Sequence, residues 1–107
     1  MVYKVEFIED AENDLEDIFK FYKYNASENK ALTILRELLT TCETLSKFPE
    51  RGVLPPELLE FGILEYSEVH CKPYRIIYQT IDKTVYVHCI LHMKRSIVDI
   101  LEKRLLR

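Results

Sequence analysis

The sequence predicts one α+β domain of two layers over residues 1–107, with elements in the order β-α-α-β-β-β-α. Three observations carry that prediction. Val2 to Ile8 alternates, with Tyr3, Val5 and Phe7 separated by Lys4 and Glu6, which is the period of a half-buried strand. From Glu9 to Leu45 apolar residues recur at spacings of three and four, the period of amphipathic helices. Lys72 to Arg95, KPYRIIYQTIDKTVYVHCILHMKR, returns to runs rich in Ile, Val and Tyr about a polar centre, the signature of strand, turn and strand. An antiparallel meander of the last three strands, with a helical hairpin on one face, satisfies all three.

The elements follow in order. Ala11, Leu15, Ile18, Phe19 and Tyr22 define a first helix over about residues 9–25. Its first half carries Glu9, Asp10, Glu12, Asp14, Glu16 and Asp17, which suit the positive end of the helix dipole; a solvated face accounts for them. Asn25-Ala26-Ser27 interrupts the pattern, and Ser27 has the chemistry of an N-cap for a second helix. Ala31, Ile34, Leu35, Leu38, Leu39, Cys42 and Leu45 form its apolar stripe, which must end before Pro49. Phe48-Pro49-Glu50-Arg51-Gly52 reads as a turn cluster, and Pro55 to Glu60 as one helical turn stopped near Gly62. Ile63 to His70 is a strand, and Lys72-Pro73 is a tight connection into the central hairpin. Ile97, Ile100, Leu101 and Leu105 suggest a last helix, with Lys103, Arg104 and Arg107 in its final turns.

Composition bounds the function. At 48% hydrophobic and 31% charged residues the chain is that of a folded protein rather than a disordered one. No apolar run reaches the roughly 20 residues that span a bilayer, and Met1 to Ile8, interrupted by Lys4 and Glu6, does not read as a signal peptide. No membrane association is expected, and a cytoplasmic location is. Cys42, Cys71 and Cys89 are an odd number without close spacing, which argues against a disulfide framework. His70-Cys71 and His88-Cys89 are adjacent pairs whose members point to opposite faces of a strand, so neither pair supplies two ligands to one metal; no metal or cofactor is expected. The net charge of −3 is unevenly spread: residues 1–61 hold 7 Lys/Arg against 13 Asp/Glu, and residues 62–107 hold 8 against 5. Such asymmetry can mark a partner-binding pole, yet it lacks the strong cationic surface of a nucleic-acid binder.

A two-residue turn at Asp82-Lys83 would set Ile81 opposite Thr84, Arg75 opposite Ile90, and His92 diagonal to Arg75. Gln79, Tyr86 and His88 would share that face with Ile77 and Ile81, leaving Ile76, Tyr78, Val85, Val87, Cys89 and Leu91 to pack on helices. Arg75, His92, Lys94 and Arg95 would then converge at one end of an open sheet face. Arg grips phosphate with two parallel bonds, Lys adds charge and His moves a proton near neutral pH, so the set could cleave RNA. The same residues also fit a surface patch with ordinary ion pairs to Asp99 or the acidic helix, or a face that a partner protein covers.

Four pieces in order, Phe48-Pro49-Glu50-Arg51-Gly52, Pro56-Glu57-Leu58, Tyr74-Arg75-Ile76-Ile77-Tyr78 and Ile90-Leu91-His92-Met93-Lys94-Arg95, resemble the ParE/RelE superfamily of toxins from type II toxin–antitoxin systems. The resemblance covers nearly the whole chain. It implies a small toxin, of the kind tied to plasmid stabilization, held in a hetero-oligomer by a cognate antitoxin. RelE-type members are ribosome-dependent mRNA endonucleases, and that likeness would make Arg75, His92 and Arg95 catalytic, without a metal. The paired lysines of that type fall here near Tyr66 and Glu68, and its C-terminal Tyr falls near Leu101. Glu68 would repel a phosphate by like charge. ParE-type members look closer. That likeness implies inhibition of DNA gyrase and blocked replication, with target contacts from Arg75, Lys94, Arg95 and Arg104. A non-toxic corepressor that only binds antitoxin is a third possibility. An open sheet with exposed Tyr66 and Tyr86 would give an antitoxin tail its seat.

Overall fold

The computed structural model describes residues 2–105. Its elements are β1 (Lys4–Phe7), α1 (Glu9–Asn25), α2 (Glu28–Glu43), α3 (Pro56–Glu60), β2 (Ser67–Cys71), β3 (Tyr74–Ile81), β4 (Thr84–His92) and α4 (Ile97–Leu105). The predicted order holds, and α1 has the predicted bounds. Arg107, expected in the last helical turn, lies outside the described residues.

The four strands form one sheet in the order β1-β4-β3-β2. The last three make the expected antiparallel meander, and β1 joins its edge parallel to β4, with Lys4 opposite Thr84 and Phe7 opposite Val87. Ser27 caps α2 by accepting a 3.0 Å bond from the Lys30 amide. After α2 the chain tightens through single turns at Thr44–Ser46 and Pro49–Arg51. The Tyr78 hydroxyl, reaching from β3, donates to the Pro49 carbonyl at 2.6 Å and accepts from the Gly52 amide at 3.1 Å, which pins the Pro49-to-Gly52 turn onto the sheet.

Two cores result. The stripes of α1 and α2, among them Ala11, Ile34, Leu38 and Cys42, pack on Val69, Ile76, Tyr78, Val85, Val87 and Ile90. On the opposite face Leu58 of α3 and Ile97 and Ile100 of α4 close over Ile77, Cys89 and Leu91. The sheet face expected to be open is thus covered, and Tyr66 packs into this second core with its ring edge-on to His88 at 5.2 Å.

The hairpin register corrects the sequence-based assignment halfway along. From Ile81–Thr84 to Tyr78–Val87 the pairs are those predicted, but Ile77 then faces Cys89, leaving His88 as an extra residue in β4. That is a β-bulge, and it moves every later residue of β4 to the other face. Cys89 and Leu91 therefore leave the helical-hairpin side for the second core. Arg75 faces Leu91, not Ile90, and His92 faces Tyr74.

Candidate target-binding cleft

Arg75 lines a cleft of about 460 Å³ whose other polar lining includes Glu57, Glu68, His70, Lys94 and Arg95. Three elements build it. The β2–β3 pairing sets His70 opposite Arg75 and Glu68 opposite Ile77, on the face that α3 and α4 cover. Proline at the start of α3 presets the backbone there, so that Glu57 in its first turn reaches the same point. The turn between β4 and α4 supplies Met93-Lys94-Arg95 at the rim, all three exposed.

Arg75 is buried, its side chain only 8% exposed, and its guanidinium is saturated. Nε donates to Glu68 Oε1 at 2.7 Å. Nη1 donates to Glu57 Oε2 at 2.7 Å and to the Arg95 carbonyl at 3.2 Å. Nη2 donates to Glu57 Oε1 at 2.7 Å and to Glu68 Oε2 at 3.3 Å. A guanidinium has five N–H donors, and five bonds are made. Glu57 also accepts from the Ile97 amide at 3.2 Å, tying α3 to the start of α4, and His70 Nε2 stands 3.1 Å from Glu68 Oε1. The two-bond grip of Arg75 holds the Glu57 carboxyl down at a pKa of about 2, and Glu57 in turn raises Arg75 above its ordinary value.

The sequence-predicted site residues divide. Arg75, Lys94 and Arg95 share the cleft. His92 does not: its ring meets Tyr74 edge-on at 5.9 Å on the sheet's other face, and its Nδ1 accepts from the Lys94 amide at 3.1 Å. The bulge is the reason, since it reverses the facing of His92 relative to Arg75. Arg104 is a strut on α4, bonded to Asp14 Oδ1 at 2.6 Å and to the His88 carbonyl at 3.1 Å, with Asp10 at 4.0 Å. Asp14 also accepts the Ile90 amide at 2.9 Å, a group that β1, ending at Phe7, is too short to pair.

Two residues escaped the sequence reading. Glu57 stood inside a quoted motif without a chemical role, and Asp14 was counted with a solvated acidic face. Asp14 follows Ala11 by three and precedes Ile18 by four, so helical spacing puts it on the buried side; that was the available signal.

The comparisons with known proteins agree with this architecture. Residues 5–97 match the family described as the ParE toxin of the type II toxin-antitoxin system, parDE. The chain belongs to the ParE toxin family. Among solved structures the ParE-family chain is similar to one from the chromosomal ParDE TA system of P. aeruginosa, with a TM-score of 0.72 at 15% identity, over 85% of this chain and 96% of that one. It is also similar to a chain of the RelBE2 toxin-antitoxin complex from Mycobacterium tuberculosis, with a TM-score of 0.64 at 21% identity, over 86% and 92% of the two chains. At such identities the likeness is one of fold. No curated protein matches the sequence. Among the described residues no helix of this ParE-family chain is long and apolar enough to cross a membrane.

Proposed function

We propose that the protein is the toxin of a type II toxin–antitoxin system and acts as a ParE-type inhibitor, binding DNA gyrase and blocking replication rather than cutting mRNA. The observation that carries this reading is the saturation of Arg75. In the RNase reading Arg75 would receive a phosphate, but its five donors already meet five protein acceptors. His92, the proton carrier of the alternative, stands on the opposite face. Inhibition by binding needs neither. In this reading Lys94 and Arg95, exposed at the rim, make the target contacts, while Arg75 and Arg104 hold the surface that presents them. Gyrase is an intracellular target, which fits a cytoplasmic protein.

The protein is held by a cognate antitoxin in a hetero-oligomer. Support comes from family membership and from an apolar groove on the outer side of the helical hairpin, lined by Leu15, Phe19, Leu32 and Leu35. With one apolar wall on each helix, it suits an amphipathic segment.

The test is direct. Purified protein added to gyrase and supercoiled DNA should accumulate cleaved DNA complexes, and induction in a bacterium should produce filaments with intact mRNA. Prompt cleavage of translated mRNA would overturn the gyrase assignment.

A further inference from the structure

Glu57 is the member of the Arg75 cluster that both fills the fork of the guanidinium and faces the cleft. Its two oxygens take Nη1 and Nη2 at 2.7 Å each, the parallel grip with which arginine holds a phosphate. Its side chain is 26% exposed, whereas that of Glu68 is 3% exposed. Without Glu57 the cleft would hold one buried carboxylate beside Arg75, Lys94 and Arg95, with the open side of the fork turned to solvent. We propose that Glu57 is a built-in stand-in for a phosphate group, and that its carboxylate keeps an otherwise phosphate-competent cleft closed to oxyanions.

The chemistry is competitive. A phosphate oxyanion approaching Arg75 meets a carboxylate of like charge already in the bidentate position, and Glu68 adds a second negative charge behind it. Replacing Glu57 by Gln removes one negative charge and sets an amide N–H₂ where Oε1 accepted from Nη2, so Nη2 is returned to the fork. Gln keeps an oxygen for the Ile97 amide, which Ala would not, so the tie between α3 and α4 persists. The proposal rests on reading the cleft as non-nucleolytic in the native protein, but not on gyrase being the target.

The experiment titrates the full chain with inorganic pyrophosphate, following binding by calorimetry and the side-chain ¹⁵Nε resonance of Arg75 by NMR. Glu57→Gln should bind about tenfold more tightly than the native protein, or better, and its Arg75 resonance should move with occupancy. Equal affinities would overturn the proposal. So would binding by Glu57→Gln that leaves the Arg75 resonance in place, since the oxyanion would then sit on Lys94 and Arg95 alone. The native protein gives an independent reading that needs no variant to fold: its Arg75 resonance should stay fixed under pyrophosphate, and movement there overturns the idea. Gyrase inhibition by either protein bears only on the choice of target.

Discussion

Arg75 shows how one residue's neighbours decide its chemistry. A lone arginine in a sheet is a phosphate ligand in waiting; one with every N–H committed is a structural rivet. The sequence revealed the arginine and the repulsive Glu68, because both lie in strands whose pattern is readable. It did not reveal the role of Glu57, because no periodicity encodes where a five-residue helix docks on a sheet. The Glu57 carboxyl has a lower pKa folded than unfolded, so its stabilising contribution is complete above the ordinary value of 4.5 and is lost as pH falls through about 2. Asp14 runs the other way: burial raises its pKa, so it resists folding less once protonated. In a series of urea denaturations from pH 5 to 2, Glu57→Gln should lose less stability across that window than the native protein. Parallel curves for the two would show that the Glu57 pair contributes nothing there.

At the scale of elements α1 was legible to the residue and α2 at its start, because spacing and the Ser27 cap are local signals; Pro49 set only an outer limit to α2, which ends at Glu43. The strands were legible in existence and order. Their facing was not, beyond the first four pairs of the hairpin, since the bulge at His88 leaves no mark in the alternation of β4. One extra residue turned an imagined cluster of Arg75 and His92 into residues on opposite faces. The turn of Pro49 to Gly52 is a second element-level device. A Cβ added at Gly52 would meet the Tyr78 hydroxyl and stand 2.8 Å from the Glu68 carbonyl, so Gly52→Ala must push the turn off the sheet. Overpacking of this kind should cost about 1–3 kcal/mol in chemical denaturation. It should also disturb the β2 edge, where Val53 and Glu68 exchange two backbone bonds of 3.0 and 2.7 Å. Unchanged amide exchange at Val53 and Glu68 in Gly52→Ala would contradict that account.

For the whole molecule, covering both faces of the sheet directs attention away from it and toward what protrudes. The helical hairpin takes one side, and α3 and α4 take the inner end of the other. In the reading proposed above, the target contacts come from the rim, where Lys94 and Arg95 stand exposed on a chain of net charge −3. Replacing both by Ala should weaken gyrase inhibition by about tenfold, the value of one or two modest charged contacts, without moving the denaturation midpoint. The loss should shrink as salt is raised, because exposed charges are screened. Inhibition that is unchanged in the double variant would move the working surface elsewhere.

The parallel seat of β1 beside β4 has a consequence for how the chain folds. Lys4 pairs with Thr84 and Phe7 with Val87, so each link of this ladder must wait for residues 80 positions apart to meet. The two helices can form in the meantime from local contacts, but the sheet they lie on cannot. A fragment that stops before Thr84 therefore offers β1 no parallel partner and leaves the apolar side of the helical hairpin without Val85, Val87 and Ile90. The closing of that long loop, rather than either helix, sets the pace at which the whole sheet forms.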